Sequence, residues 1–203
     1  MKAVLLDMDG TLVDSDGAVE RAWHRWAAEH AVPIEVLAPI LHGNPAATTI
    51  RVVRPDLDDT AVAAAAQRNL ELQYDDLADV TATPGAARLL RTLDELGVPW
   101  AVVTSADRRL ATVRLHAAGL PVRHLVTVED TPRGKPDPAP YLAGAALLGA
   151  DPRDCLVVED SQPGIDAGRA AGMRVAALRG LPGDLRIRDL DELADTVTAG
   201  TAP

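Results

Sequence analysis

The sequence predicts an α/β protein: a parallel sheet with helices on both faces and a helical segment inserted after the first strand. Three observations carry this. Short continuous apolar runs, at 2–6, 98–103, 124–128, 155–158 and 174–178, read as strands buried on both faces. Helical patterns alternate with them, the arrangement that builds a parallel sheet. Between Asp16 and Thr81 the rhythm stops, and the chain reads as helix only.

Each core helix has a readable end. Thr83-Pro84-Gly85 opens one, with a cap candidate and Pro in the first turn. Leu89, Leu90, Leu93 and Leu96 follow on one face and Gly97 stops it. Helices over 106–118, 138–148 and 161–171 are closed by Gly119, Gly149 and Gly172. In the insertion, Trp23, Trp26 and Ala27 fall at helical spacing, Pro33-Ile34 starts another helix, and 58–77 reads as a further one. The expected division is a core of 1–15 with 82–203 and a helical domain of 16–81. The last residues, 196–203, are expected to be loosely held.

The 203 residues carry a net charge of -10, with no Lys/Arg cluster of the kind nucleic acid requires. No apolar stretch approaches a membrane span, and the N-terminal run is too short for a signal peptide. Cys155 has no partner for an internal disulfide and lies in a strand, where it reads as packing. These features predict a cytoplasmic protein with neither membrane nor nucleic-acid partners. An acidic chain that handles anions must supply local positive charge at its site.

In open parallel sheets ligands bind beyond the carboxyl ends of the strands. There the chain places Asp7-Met8-Asp9-Gly10-Thr11, then Thr104-Ser105, then Gly134-Lys135-Pro136 in a loop, then Glu159-Asp160-Ser161. Each alone has an ordinary reading: a solvated Asp-x-Asp, a helix cap, a surface lysine. Together they gather carboxylates that repel one another on one rim. A divalent cation resolves that repulsion, and Mg2+ favours carboxylates, waters and a substrate phosphate oxygen. Lys135 would hold the phosphate. Asp7 and Asp9, two apart on an extended chain, face the same side. One can attack phosphorus as a carboxylate nucleophile while the other manages the proton.

In order and spacing these segments resemble the motifs of the haloacid dehalogenase superfamily over essentially the whole chain. The resemblance implies a Rossmann-like core with a helical cap inserted after the first strand. It implies Asp7 as nucleophile and metal ligand, and Asp9 as general acid and then base, with its backbone carbonyl on the metal. Thr104 and Lys135 would bind the phosphate with Ser105 near it. Asp160 would ligate Mg2+, with Glu159 supporting directly or through water. Val13-Asp14-Ser15, Arg21-Ala22-Trp23, His42-Gly43, the segment 99–105 and Gly134-Lys135-Pro136-Asp137-Pro138 are similar to the sugar- and hexitol-phosphate phosphatases of that superfamily. Glycerol-3-phosphate and 2-deoxyglucose-6-phosphate phosphatases look similar in the same places.

The expected function is therefore a Mg2+-dependent phosphatase, a monomer acting on a small phosphorylated metabolite such as a sugar or polyol phosphate, through an aspartyl-phosphate. His42, Gly43, Asn44 and Thr48 are candidates for substrate contact from the cap. Two departures stand out. Ala106 follows Thr104-Ser105 where relatives carry Gly, and is expected to offer its backbone N–H all the same. Asn44-Pro45 stands where relatives often carry a larger polar or basic residue. The alternative is a phosphosugar mutase of the β-phosphoglucomutase kind, whose cap-hinge His is matched here by Val19, with His24 one turn further along. A non-catalytic protein would have lost Asp7 or Lys135, and a dehalogenase would not need Glu159-Asp160.

Overall fold

The computed structural model describes residues 1–41 and 45–200. In chain order the elements are β1 (Ala3–Leu6), β2 (Val13–Asp14), α1 (Asp16–Glu29), α2 (Ile34–Leu37), α3 (Ala46–Val53), α4 (Asp59–Glu71), β3 (Thr81–Ala82), α5 (Ala86–Glu95), β4 (Trp100–Val103), α6 (Arg108–Ala117), β5 (Leu125–Val126), α7 (Ala139–Leu147), β6 (Cys155–Glu159), α8 (Gln162–Ala170), β7 (Arg174–Ala177), β8 (Leu185–Arg186) and α9 (Leu190–Thr198). No helix among the described residues is long and apolar enough to cross a membrane.

The chain divides into two compact units, Met1–Asp14 with Thr81–Pro203, and Ser15–Val80. The first is built on a six-stranded sheet of order β5-β4-β1-β6-β7-β8, with every pairing parallel. Every residue of β1, β4 and β6 is buried, which is why their sequences run apolar without alternation. Ala3, Leu5, Ala101, Val103, Cys155, Val157 and Val175 pack with Tyr141 and Ala145 of α7 and Ile165 and Ala167 of α8. Val4, Leu6, Val102, Leu156 and Val158, pointing to the opposite face, are buried too. Chain order reverses around β1: β4 and β5 lie to one side, and β6, β7 and β8 to the other. Such a reversal opens a crevice at the strand ends.

Register then fixes what meets there. Leu6 pairs with Val102 on one side and Val158 on the other. The next residues, Asp7, Val103 and Glu159, therefore stand level. By the period of two, Asp7 and Glu159 continue the series Ala3, Leu5 and Cys155, Val157, the face covered by α7 and α8.

Among its described residues the second unit holds the helices α1, α2, α3 and α4. Trp23 and Trp26 meet edge to face at 5.4 Å among Leu37, Ile50, Val62 and Ala65. Trp26 Nε1 donates to Ala65 O at 2.9 Å, satisfying the one polar atom of its ring. Arg68 on α4 grips Glu29 on α1 through two bonds of 2.8 and 2.6 Å.

Several details differ from the sequence expectations. β2 and β3 form an antiparallel ribbon of two residues each, too short to leave a periodic signal. Thr83 does not cap α5: its Oγ1 donates to Thr11 O at 2.5 Å, and Gly85, with φ of 83°, takes the N-cap position. α6 starts at Arg108 behind Asp107, whose carboxylate accepts from Leu110 N. The expected strand over 124–128 is only β5, because Val128–Asp130 turns into a 3-10 helix capped by Thr127. The helix expected over 58–77 ends at Glu71. Residues 196–198, expected to be loose, belong to α9, where Val197 is buried and Thr198 Oγ1 donates to Ala194 O.

Candidate active site

Asp7 follows β1 directly, and its backbone N donates to Val158 O at 3.0 Å, so the strand geometry holds its Cα in place. The loop between β5 and α7 delivers Lys135. Its ammonium donates to Asp7 Oδ1 at 2.5 Å, Glu159 Oε1 at 2.7 Å and Val103 O at 3.0 Å. Lys135 and Asp7 are both buried, and Glu159 is fully so. The Lys135 ammonium also lies 5.0 Å from the centre of the Tyr141 ring, on α7. Lys135 is the local positive charge that an acidic protein needs in order to hold an anion.

Glu159 is saturated. Oε1 accepts from Lys135 and from Tyr141 OH at 2.8 Å; Oε2 accepts from Asp160 N, Ser161 N and Ser161 Oγ at 3.0, 3.0 and 2.9 Å. A carboxylate has about four lone-pair sites, so these donors fill it. Glu159 thus aims Lys135. Asp160 is held by Thr11 Oγ1 on Oδ1 at 3.2 Å and by Arg179 Nε on Oδ2 at 3.0 Å. Gly10 makes the turn between Asp9 and Thr11 at φ of 84°, and a Cβ there would lie 2.1 Å from Asp160 Oδ2.

Oxygen atoms of Asp7, Glu159 and Asp160 lie within 4.8 Å of one another. An all-oxygen, carboxylate-rich set suits a hard cation such as Mg2+. The electrostatics agree. Burial, then the charges of Glu159 and Asp160, push the Asp7 carboxyl well up, against the pull of Lys135. Burial and the Glu159 charge push Asp160 up to about 7, with Arg179 and Thr11 pulling the other way. Glu159 goes down despite burial, because the Lys135 charge and its hydrogen bonds favour the anion. Lys135, which burial alone would lower, is held above its usual range by Asp7 and Glu159. Two carboxylates that resist ionisation beside one another are what a divalent cation relieves.

A pH dependence follows for the metal-free protein. An unfolded Asp titrates near 3.8, whereas folded Asp160 holds its proton to about 7. Its contribution to stability is full below about pH 4 and is lost as pH rises toward about 7, since over that window only the folded state keeps the proton. In EDTA, Tm is expected to fall across that range more steeply for the wild type than for Asp160→Asn. Parallel curves would contradict it.

Close packing locks Glu159. A Cβ on Gly164, in the first turn of α8, would sit 1.7 Å from Glu159 Oε1 and 1.9 Å from its Cδ. Gly164→Ala is expected to cost about 1–3 kcal/mol by overpacking, and to lower kcat by shifting the carboxylate that aims Lys135. Thermal melting and turnover check this together; a variant with unchanged kcat would separate Glu159 from the chemistry.

The remaining expected residues divide as follows. Thr104 is buried at the end of β4, and its Oγ1 accepts from Ala106 N at 3.1 Å. The Ala106 N–H, which the sequence expects to be offered as Gly would offer it, is the donor of that bond. Ser105 is exposed. The Asp9 carboxylate is not part of the three-carboxylate cluster; its Oδ1 accepts from Arg114 Nη1 at 2.7 Å. His42, Gly43 and Asn44 lie outside the described residues. Thr48 is exposed on α3. Tyr141 and Arg114 were not anticipated. Arg114 did leave a signal, since it shares the helical stripe of Leu110, Ala111 and Leu115.

A family model described as a haloacid dehalogenase-like hydrolase matches residues 1–172. The chain belongs to the haloacid dehalogenase-like hydrolases. It is 41% identical over 191 residues to hexitol phosphatase A of Escherichia coli, covering 94% of this chain and 88% of that protein. It is 33% identical over 187 residues to 2-deoxyglucose-6-phosphate phosphatase 1 of Saccharomyces cerevisiae, covering 83% and 76%. A β-phosphoglucomutase structure from Clostridium difficile matches with a TM-score of 0.85 over 98% of this chain and 96% of that one; at 17% identity, the likeness shows the fold. Within the family this hydrolase is a phosphatase.

Proposed function

We propose that this hydrolase is a Mg2+-dependent, cytoplasmic, monomeric phosphatase that cleaves a sugar or polyol phosphate through an aspartyl-phosphate on Asp7. The observation that carries the reading is Asp7 itself. It is a buried carboxylate at the switch point of the sheet, gripped by Lys135 and clustered with Asp160 and Glu159. The hexitol phosphatase relative supports the substrate class.

Asp7 and Asp160 would hold the cation, with the Asp9 carbonyl, and Glu159 would act through the groups it binds. When bound, Mg2+ supplies positive charge against the transferring phosphoryl group and lets both carboxylates stay ionised. The protein groups do the rest. A carboxylate oxygen of Asp7 attacks phosphorus in line with the ester oxygen. The P–O ester bond breaks and Asp9 gives its proton to the departing alkoxide. Asp9 then takes a proton from water as the water oxygen attacks phosphorus, the Asp7–phosphorus bond breaks, and phosphate leaves. Lys135 holds the phosphoryl oxygens and Thr104 borders them, with Ser105 beside it. The helical residues 16–81, with His42, Gly43 and Asn44, serve in this reading as the cap that selects substrate. Val19, at the position of the mutase histidine, favours hydrolysis over phosphoryl return.

Phosphate release from a panel of sugar, polyol and small-acid phosphates, with Mg2+ or with EDTA, tests this. The expected result is Mg2+-dependent release with hexitol or sugar phosphates ranked first. Release unaffected by EDTA, or none from any compound by folded protein, would overturn the proposal.

A further inference from the structure

Arg114 is the anomaly of the core. α6 buries Leu110, Ala111 and Leu115 along one stripe, and Arg114 lies in that stripe with a side chain only 2% exposed. Arginine is among the residues least often buried, and a buried ion costs several kcal/mol unless it is well paired. An apolar residue would complete the stripe at lower cost. Arg108, on the same helix, shows the ordinary alternative: exposed, and paired with Asp130 at the surface.

Arg114 instead reaches Asp9, 105 positions earlier in the chain, and Nη1 donates to Oδ1 at 2.7 Å. The Asp9 side chain remains 29% exposed while its partner is buried. The pair therefore has a fixed end within the core and a reachable end in the loop. A β-bridge to Val13 ties the Asp9 backbone, and Arg114 grips its carboxylate. Asp9 precedes the Gly10 turn and lies outside the cluster that fixes Asp7, Glu159 and Asp160. A guanidinium is planar, always charged and donor-only, so it fixes a carboxylate oxygen in direction as well as distance.

We infer that Arg114 is a positioning residue for proton transfer: it holds the Asp9 carboxyl where it can protonate the leaving oxygen. The inference rests on the phosphatase reading. Protonation matters in proportion to the basicity of the leaving group. An alkoxide leaving a sugar or polyol phosphate needs the proton, whereas p-nitrophenolate leaves without it. General-acid assistance contributes typically about 10²–10⁴-fold.

The test compares kcat/KM, which reports steps up to leaving-group departure, for the best alkyl phosphate of the panel and for p-nitrophenyl phosphate. In Arg114→Met the alkyl value is expected to fall about 10²-fold or more and the aryl value only a few-fold. Both substrates are assayed in one preparation, so the ratio is independent of the fraction folded. Arg114→Lys, which keeps the charge and loses the fork, is expected to recover part of the ratio. Should the Met variant not fold, the Lys variant is read alone, with an expected fall in the ratio of about 10-fold. Equal losses on the two substrates would overturn the inference and leave the phosphatase reading standing. Wild-type protein that released phosphate from neither would bring down both.

Discussion

Asp7→Asn is expected to abolish phosphate release while leaving the metal-free protein at least as stable as the wild type. Asn has no anionic oxygen to attack phosphorus, so kcat should fall by about 10⁴-fold or more, the scale seen when a catalytic nucleophile is removed. Stability runs the other way. The wild-type site buries Asp7 beside Glu159 and Asp160, and burial with those two charges disfavours the ionised form. The amide keeps the shape and still accepts from Lys135, while Glu159 remains to balance the ammonium. In EDTA the variant should melt at or above the wild-type temperature, and the Tm rise on adding Mg2+ should shrink because a carboxylate ligand is gone. Function thus accounts for the strain stored at this site. Melting curves with and without Mg2+, beside a phosphate-release assay, check both halves; a clearly lower Tm in EDTA would contradict the electrostatic account.

Lys135→Met should lose both. The ammonium bridges Asp7, Glu159 and Val103 O, and no solvent replaces it, since the lysine side chain is 5% exposed and that of Glu159 0%. Removing one partner of a buried ion pair typically costs about 3–5 kcal/mol, because the remaining charge is left uncompensated. For a chain of this size that is a Tm drop of roughly 10 °C. Turnover should fall about 10³-fold as the phosphoryl group loses its principal protein cation. The opposite stability signs of the two variants separate a cation-centred site from one whose members merely pack together. A Tm drop equal in both would show packing to dominate.

The core strands and the rim were legible because burial on both faces writes an unbroken apolar run, and each run stops where chemistry begins. Asp7, Glu159 and Asp160 stand at such stops, and Lys135, in the loop after β5, joins them by the order and spacing of the motifs. What the sequence could not show was which rim groups touch. Glu159 is expected from the sequence to support the metal directly or through water, and its five hydrogen bonds come from four residues: Lys135 and Tyr141 from elsewhere in the chain, Asp160 and Ser161 from its own turn. Tyr141 lies in α7 with no motif around it to set it apart from any helical aromatic. α9 was missed although its signal was present: Asp189 caps it, Glu192 follows at the third position, and Leu190, Leu193, Ala194 and Val197 line one face. β8 and the β2–β3 ribbon, two residues per strand, carried no period to read.

The most direct measurement is the intact mass of the protein after acid quench. Asp9→Ala, mixed with p-nitrophenyl phosphate and Mg2+, should accumulate a species heavier by one phosphoryl group. Its leaving group needs no proton, whereas release of the enzyme-bound phosphoryl to water needs Asp9 to take a proton from that water. Peptide mapping should place the group on Asp7, and the same treatment of the Asp7→Asn protein should give no adduct. Turnover of p-nitrophenyl phosphate by the Asp9→Ala variant with no adduct, or an adduct on another residue, would contradict the assignment of Asp7 as the nucleophile.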